Sequence, residues 1–358
     1  MKEKNNLPDA ILHHIPWDSN SNPIWPASSF FLHRNIAKYP FPGKLNESQS
    51  LELLPHLQNL FLNLPELQSP LYIAADALSP QEKEFLCEHF LCQQGWQNTS
   101  KGQGFIVDQS AHFLATLNIK EHLVLQWVDC KGQWEKAWEA LNKIETSIGN
   151  DLEYAFSPRF GYLTSHPTLC GTSLLVLCYL HLPALILSGK LSQTLHSYQE
   201  ESVHTSGLFG AAEDFIGDFL ILQNKYTLGI TEESILKDLH TMASQLVFAE
   251  KNERLLYEKN PSIELKDKMS RAYGLLLHSY QLETVEALNA LSQIKLGIDL
   301  RWVEGITDEE INELLFRCRR AHLLQSNEKI SLDKKELAQA RASYLHEQLQ
   351  KTTLKENL

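Results

Sequence analysis

The stretch GYLTSHPTLCGTSLL, residues 161–175, brings together side chains that can do chemistry. A thiol, Cys170, and an imidazole, His166, lie between Gly161 and Gly171, which favour tight turns. A thiol becomes a nucleophile when a neighbouring base activates it. The stretch contains no Asp, Glu, Lys or Arg, and nothing in the sequence assigns a base to Cys170. Cys170 is therefore either a nucleophile without an evident base or an ordinary small buried thiol, and the residues favour the second alternative.

A second group of chemically active side chains is CEHFLC, which contains Cys87, His89 and Cys92. Cysteine and histidine are the side chains that bind zinc. However, the two cysteines are five positions apart on a predicted helix, which places them off one face, and no second Cys/His pair follows at ligand spacing. We therefore interpret them as core or surface thiols. The sequence also contains no P-loop, no GxGxxG and no HExxH motif.

The composition excludes several classes of protein. The chain has 358 residues, 43% hydrophobic residues and a net charge of −12, so it can bury a core but has no basic face for nucleic acid. Its one tight basic cluster is Arg317, Arg319 and Arg320, which we interpret as a solvated face or a set of ion pairs. The six cysteines are scattered, and the first residues lack the apolar region of a secretory signal. Both features predict a cytoplasmic protein.

The predicted elements give an α+β fold. Residues 1–50 are predicted to be irregular, because prolines punctuate them. Hydrophobic periodicity predicts helices at 48–64, 79–94, 134–152, 231–259, 263–281, 283–296, 307–323 and 332–351. Strands are predicted at 104–108, 111–118 and 122–130, as an antiparallel meander, and at 173–182 and 218–223. This pattern divides the chain into an α+β domain over 1–258 and an all-helical domain over 259–358.

Residues 169–188 are apolar enough to suggest a membrane span. Gly171 opens this stretch, His181 interrupts it and Pro183 breaks it. We therefore predict a buried strand followed by the start of a helix, and no membrane association.

The stretch 161–175, continued to Leu185, resembles the signature of the phosphagen (ATP:guanidino) kinases, which reads roughly GYLTxCPTNxGTGLR. Four other segments also resemble this family. The segment ASSFFLHRNIAKYPFP is similar to SSRIRLARNLxxxPFP, LNIKEHLVLQ to LNEEDHIRIQ, and residues 206–229 to RGLYGEG…SNxxxLG. The segment KLGIDLRWVEG resembles the helical region of the bacterial protein-arginine kinases, to which the resemblance is greatest.

The resemblance implies a phosphagen-kinase (glutamine-synthetase-like) catalytic domain, in which Mg·ATP lies across an antiparallel sheet flanked by helices. It also implies a chemistry in which the γ-phosphoryl group passes to a guanidinium nitrogen. Arginines hold the triphosphate and carboxylates align the guanidinium, so catalysis depends on positioning and electrostatics.

The charged residues of the family signature are largely missing here. Lys120 stands at the position of the catalytic glutamate, and His166 at that of the reactive cysteine. Arg34 retains the third arginine of the first segment, and Glu232 retains the other carboxylate that aligns the guanidinium. The positions of the five phosphate-binding arginines are Ser29, Phe31, Val124, Leu175 and Ser206.

Other charged or polar positions are lost as well, while the glycines and prolines that shape the loop and turns remain. Ile119 replaces a glutamate, Leu169 the loop asparagine and Ala211 the glutamate of RGLYGEG. The retained residues are Gly161, Pro167, Thr168, Gly171, Thr172, Pro183, Gly207, Gly210, Gly217 and Gly229.

Three hypotheses about function follow. In the first, the protein is a pseudokinase that acts by binding proteins, and no cofactor is expected. In the second, it is a divergent but active phosphotransferase that uses Mg·ATP, with substitute cations among Arg34, Lys120, His166, Lys190 and Lys225. In the third, the pocket has been refitted for an apolar or uncharged ligand.

The resemblance also implies partners. The related kinases mark proteins for a Clp-type protease and work with a zinc-binding activator protein, so we expect partners of these two kinds. Wide apolar stripes on the C-terminal helices favour a homodimer. The phosphoarginine-sensing motif RDxxRA is only half retained, because Arg341 is the one arginine left in the best alignment.

Overall fold

The computed structural model describes residues 6–13, 22–92, 95–198, 201–211, 214–326 and 333–355. Its helices are α1 (Asp9–His13), α2 (Glu47–Leu62), α3 (Pro80–His89), α4 (Trp134–Asp151), α5 (Pro183–Leu187), α6 (Leu191–Ser197), α7 (Glu232–Lys259), α8 (Ile263–His278), α9 (Thr284–Asp299), α10 (Asp308–Arg317), α11 (Arg320–Ser326) and α12 (Lys334–Leu349). Its strands are β1 (Ala27–Arg34), β2 (Leu71–Ala74), β3 (Gly104–Val107), β4 (Phe113–Leu117), β5 (Leu123–Asp129), β6 (Phe156–Ser157), β7 (Gly161–Tyr162), β8 (Leu174–His181), β9 (Val203–Gly207), β10 (Phe219–Asn224), β11 (Val303–Glu304) and β12 (Thr353–Leu354).

The main sheet has eight strands in the order β2-β3-β4-β5-β1-β8-β10-β9. Every neighbouring pair is antiparallel, and the predicted meander is β3, β4 and β5. The fold is thus α+β with an antiparallel sheet flanked by helices, as predicted. The apolar run 169–188 forms the inner strand β8 and the short helix α5. Among the described residues, no helix combines the length and the hydropathy needed to cross a membrane.

The prediction that residues 1–50 are irregular is wrong for β1, which lies between β5 and β8 in the sheet. Its sequence ASSFFLHR follows prolines, but its side chains alternate between the two faces of the sheet. Phe30 and Leu32 point into one core, while Phe31 packs against the other. This alternation decides where the candidate site residues point.

Each face of the sheet carries its own layer of helices. One core joins the sheet to α2, α4 and α7 through side chains such as Leu57, Leu141 and Leu239. The other core joins it to α3 and to the C-terminal helices, through side chains such as Phe85 and Leu291. The C-terminal helices therefore pack directly against one face of the sheet.

The C-terminal region differs from the prediction in two respects. It is not purely helical, because β11 pairs with β12. The helix predicted at 307–323 is two helices, α10 and α11, which are separated at Cys318 and Arg319. Thr307 and Glu310 form a capping box at the start of α10. Residues 93, 94 and 332 of the predicted helices lie outside the described residues.

Most of the basic cluster forms ion pairs. Arg317 pairs with Glu313, and Arg320 pairs with Glu84 on α3. Arg319 instead is buried, with its guanidinium carbon 4.9 Å from the ring centroid of Phe316. The cluster thus helps to hold the C-terminal helices together and against α3.

Buried polar contacts join the two predicted domains. Arg254, near the end of α7, pairs with Glu250 on the same helix and with Asp299 on α9. Ser292 on α9 donates to Asp218 at 2.5 Å, next to the start of β10. The division after residue 258 stays a prediction, and the two parts share one core.

Candidate functional site

The loop between β7 and β8 is held in place by its own backbone. Tyr162 and Gly171 exchange hydrogen bonds, at 2.8 and 3.2 Å, which close the loop at its base. Gly171 has φ +113°, and a Cβ there would collide with the backbone of Thr227. The amide of Thr172 donates to the Thr227 carbonyl at 2.9 Å. The two glycines of the motif therefore serve close backbone approach, as their sequence positions suggested.

Glu121 fixes the tip of the loop. Its buried carboxylate accepts hydrogen bonds from the Ser165 amide, at 2.9 and 3.0 Å, and from the Ser165 hydroxyl at 2.8 Å. It also accepts one from the Asn35 side chain at 2.5 Å, and Asn35 in turn accepts the amide of His122 at 2.9 Å. The acid that follows Lys120 is therefore engaged in positioning the loop.

The two reactive side chains of the loop bond within the loop. The exposed His166 places Nδ1 2.8 Å from the Thr168 hydroxyl, so its imidazole is bonded to a neighbouring side chain of the loop. Cys170 is half-buried, with its sulfur 3.5 Å from the Thr164 hydroxyl. Thr227 donates to the Cys170 carbonyl at 2.8 Å. The polar atoms of the loop thus serve its own conformation.

The five positions that the resemblance assigns to phosphate-binding arginines lie on one face of the sheet. Phe31 is directly opposite Leu175, and Val124 is opposite His33, the next residue of β1 on this face. Ser29 precedes Phe31 by two residues and so shares its face. Ser206 aligns through Ile221 and Tyr179 with Ala27, which also lies on this face. We call the surface formed by Ser29, Phe31, Val124, Leu175 and Ser206 the Phe31 face.

The Phe31 face is partly covered and carries no charge at these positions. Ser29 and Ser206 are 0% and 4% exposed, while Phe31, Val124 and Leu175 are half-buried. Phe31 packs against the core that includes the C-terminal helices. An arginine at Ser29 would have to enter that core, so the packing that covers the face is incompatible with a charge there.

The retained Arg34 points to the opposite face. It lies an odd number of residues from Phe31 on β1, and its side chain is 3% exposed. Its Nε donates to Glu145 of α4 at 2.6 Å, and its Nη1 donates to the His33 and Thr172 carbonyls at 2.9 and 3.2 Å. The guanidinium also lies over the Tyr162 ring, 3.5 Å from its centroid. Arg34 is therefore fully engaged in joining β1, α4 and the loop.

The substitute cations differ in their surroundings. Lys190 is ion-paired with Glu253 at 2.8 Å. Lys225 lies 5.3 Å from the centroid of the Tyr226 ring. Lys120 is exposed, and its carbonyl accepts the Ser165 hydroxyl of the loop at 2.9 Å. Of the five described candidates, Arg34 and Lys190 form ion pairs, whereas Lys120, His166 and Lys225 do not.

Glu232 is the first residue of α7 and is half-buried. Burial raises the pKa of its carboxyl group, and the positive charge of Arg34 partly opposes this shift. Glu232 follows Thr227 by five residues, and the Thr227 carbonyl accepts the amide of Thr172 at the base of the loop. The retained carboxylate is thus in the same neighbourhood as the loop.

Arg341 lies away from the loop, in α12. It is 2% exposed, and its guanidinium donates to the Cys318 carbonyl at 2.6 Å and to the Leu282 carbonyl at 2.7 Å. The side chain connects α12 to the end of α10 and to the start of α9. A phosphoarginine-binding role for Arg341 stays a prediction.

A separate cavity of about 290 Å³ lies at the Ala27 end of β1, away from the loop. It is lined by Trp25, Trp134, His240 and Asp129 among others. In the part of the chain that the structure describes, no three His, Cys, Asp or Glu side chains are grouped so as to hold a metal ion.

Comparison with known proteins identifies the family. Residues 56–253 match the family model "ATP:guanido phosphotransferase, C-terminal catalytic domain", and residues 262–357 match "Protein-arginine kinase McsB C-terminal domain". The protein-arginine kinase of Chlamydia pneumoniae is 36% identical over 357 residues, which cover 95% of this chain and 97% of the relative. The chain belongs to the protein-arginine kinase family. The protein-arginine kinase of Halothermothrix orenii is 28% identical and covers 99% of both chains.

Two solved structures have the same fold as this chain. Lombricine kinase aligns with a TM-score of 0.55 at 18% identity, covering 70% of this chain and 72% of its own. The duplicated taurocyamine kinase of Schistosoma mansoni aligns with a TM-score of 0.56 at 16% identity, covering 82% of this chain and 49% of its own. These neighbours confirm the phosphagen-kinase fold that the sequence predicted.

Sequence reasoning missed two residues of the site. Glu121 was not singled out, although it follows Lys120 in the same motif and is the acid that holds the loop. Glu145 was read only as part of a helix, although Arg34 needs a buried carboxylate partner. The alternation of β1 was a usable signal for the direction of Arg34, but the identity of its partner depended on the packing of α4.

Proposed function

We propose that this member of the protein-arginine kinase family does not transfer phosphate and acts by binding other proteins. The observation that carries the proposal is the Phe31 face, where uncharged side chains occupy all five positions that align with phosphate-binding arginines. Arg34 is the arginine that remains in the motif of β1. Its side chain points to the other face and pairs with Glu145.

The magnitudes support a loss of nucleotide binding. A hydrogen bond to a charged group contributes roughly 1.5–3 kcal/mol, so losing five removes on the order of 7–15 kcal/mol if they add. Micromolar binding amounts to only about 8 kcal/mol. The half-buried Phe31, Val124 and Leu175 would in addition desolvate phosphate oxygens without replacing their hydrogen bonds.

The alternative is a divergent phosphotransferase, and two observations favour it. Glu232 follows Thr227, which bonds the loop at Thr172, and the Lys120 carbonyl accepts the Ser165 hydroxyl at 2.9 Å, so both residues adjoin the loop. In this alternative, Lys120 would contact the phosphates of Mg·ATP and Glu232 would align the guanidinium. A single cation in place of five arginines makes this the weaker candidate.

The partners that we propose are a zinc-binding activator protein and a Clp-type unfoldase, in the setting of protein quality control. Exposed apolar side chains offer a surface for protein contacts, including a homodimer. Phe248, Leu255 and Leu256 on α7 are 64%, 52% and 52% exposed, and Ile263 at the start of α8 is 80% exposed. Their spacing places Phe248 and Leu255 on one stripe of the helix.

An arginine phosphorylation assay tests this proposal. The chain is incubated with Mg·ATP and an arginine-rich protein, and phosphoarginine is measured by mass spectrometry without acid treatment. The Chlamydia pneumoniae protein-arginine kinase serves as the positive control. We expect no phosphoarginine above the enzyme-free background. Phosphoarginine that disappears in a Glu232→Gln variant would establish the alternative.

A further inference from the structure

The C-terminal end of α3 brings two cysteines together through its backbone. The helix ends in a turn in which Leu91 has φ +55°. The amide of Cys92 donates to the Cys87 carbonyl at 2.9 Å, and the amide of Leu91 donates to the Glu88 carbonyl at 3.4 Å. This is the hydrogen-bond pattern of a Schellman motif, in which the first and last residues frequently contact each other. These residues are Cys87 and Cys92, so the two cysteines are neighbours. The prediction that both lie on the helix is wrong for Cys92, because α3 ends at His89.

The two thiols interact with each other and with their surroundings. The Cys87 thiol donates to the Cys92 carbonyl at 3.1 Å, and the Cys92 thiol donates to Oε1 of Gln126 at 3.2 Å. Both cysteines are half-buried, so a small oxidant can reach the pair from solvent.

The two sulfurs have different chemical characters. The interaction with the Cys92 side chain lowers the pKa of the Cys87 thiol, against the opposing effect of burial. Burial raises the pKa of Cys92 well above its ordinary value. Because the thiolate is the nucleophile, Cys87 is the sulfur that reacts first with an electrophile.

We propose that Cys87 and Cys92 are a modification site, at which hydrogen peroxide or an organic peroxide forms a reversible disulfide across the end of α3. In the first step the Cys87 thiolate attacks a peroxide oxygen, the O–O bond breaks, and the leaving oxygen departs as water or an alcohol after gaining a proton. Cys87 is then a sulfenic acid. In the second step the Cys92 sulfur attacks the Cys87 sulfur, the S–S bond forms, and the hydroxyl group leaves with the Cys92 proton as water. A dithiol reverses the reaction.

Disulfide formation would change the contact between α3 and the sheet. Cys92 loses its thiol hydrogen and therefore its hydrogen bond to Gln126. Gln126 also donates to the Phe90 carbonyl at 2.5 Å, and on β5 it is directly opposite Phe31. The modification site thus borders the Phe31 face. It does not depend on the proposed loss of phosphate transfer.

The other cysteines differ from this pair. Cys130, Cys178 and Cys318 are buried, and burial raises the pKa of Cys178 and, to about 12, that of Cys318. Cys170 is half-buried like the pair, but its thiol is bonded to the Thr164 hydroxyl. Cys170 is therefore the matched control for an accessible thiol without a cysteine neighbour.

The test treats the full chain with one equivalent of hydrogen peroxide and measures the intact mass, followed by peptide mapping. We expect a mass loss of two hydrogen atoms, a cross-link between the Cys87 and Cys92 peptides, and recovery of the original mass with dithiothreitol. Cys170→Ser should behave as the unchanged chain. A cross-link between other cysteines, or oxidation without a cross-link, would overturn the proposal.

Two serine variants separate the roles of the sulfurs. Cys92→Ser should accumulate a sulfenic acid at position 87 that dimedone traps, whereas Cys87→Ser should leave Cys92 reduced under the same conditions. Near-UV circular dichroism shows whether each variant keeps the native packing. Equal reactivity of the two cysteines in the folded variants would contradict the assignment of Cys87 as the attacking sulfur.

Discussion

The charged guanidinium of Arg34 is bound entirely by groups of the protein itself. Its guanidinium is held by Glu145, by the His33 and Thr172 carbonyls and by the Tyr162 ring. A motif alignment alone presents Arg34 as a surviving phosphate ligand. The side-chain direction on β1 and the carboxylate on α4 show instead that it joins two layers and the loop.

The Arg34–Glu145 pair gives a prediction about stability. Glu145→Gln leaves the buried guanidinium without a counter-charge, so the free energy of unfolding should fall by about 3–5 kcal/mol. Urea denaturation of the full chain measures this change. Asp267→Asn is the matched control, because it removes one partner of the exposed Arg271–Asp267 pair. The control should change stability by less than about 1 kcal/mol. Equal small effects in both variants would contradict a structural role for the buried pair.

His122 gives a prediction about pH. It is 0% exposed, and its Nδ1 accepts the Ile36 amide at 3.1 Å, which requires an unprotonated Nδ1. Burial lowers its pKa from 6.5 to about 4. Between these two values the unfolded chain binds more protons than the folded one, so stability is lost as the pH falls from about 6.5 toward 4.

The measurement compares the unchanged chain with His122→Gln by urea denaturation at about pH 7.5 and pH 5. On moving to the lower pH, the unchanged chain should lose about 2 kcal/mol more than the variant, since each pKa unit corresponds to roughly 1.4 kcal/mol. Other buried groups titrate in both proteins and cancel in this comparison. An identical pH response of the two proteins would show that His122 titrates normally.

At the scale of the element, the loop between β7 and β8 depends on its glycines. Gly171→Ala should destabilise the chain by at least about 2 kcal/mol, because φ at this position is +113° and a Cβ would meet the Thr227 backbone. Gly43→Ala is the control, since nothing lies within 4 Å of a Cβ there and its φ is not positive. Thermal unfolding measures both variants. A Gly171→Ala protein as stable as the Gly43→Ala protein would contradict the described loop conformation.

Elements with strong periodicity were predictable, and those decided by packing were not. The amphipathic helix α4 and the meander β3–β5 match their predictions to within a few residues. The strand β1 was missed, because prolines surround it and only its alternation marks it. No Gly or Pro in the sequence marks the break between α10 and α11. At this break, the Glu88 side chain of α3 accepts the amide of Ala321 in α11.

Some residues of the candidate site were likewise predictable from the sequence, and others were not. The positions of the Phe31 face were predictable as a set, because a family motif aligns them and strand alternation puts them on one side. The partners that hold the loop, Glu121 for Ser165 and Thr227 for Cys170, are far apart in sequence. No local pattern records such contacts.

At the scale of the whole molecule, the two helical layers have different relations to the Phe31 face. The layer of α2, α4 and α7 lies on the opposite side and receives Arg34. The layer of α3 and the C-terminal helices shares a core with the Phe31 face and buries Ser29. The chain thus has the fold of its family, and the five uncharged positions of the Phe31 face are partly covered by packing that involves both predicted domains.

The most direct test of this account is a calorimetric titration of the full chain with Mg·ATP. With five neutral side chains at the arginine positions, we expect no binding heat up to millimolar nucleotide, a limit of about 4 kcal/mol of binding free energy. The Chlamydia pneumoniae kinase, titrated in the same buffer, is the reference for a functional nucleotide site. Micromolar binding by this chain would contradict the account, because other cations would then have to hold the triphosphate.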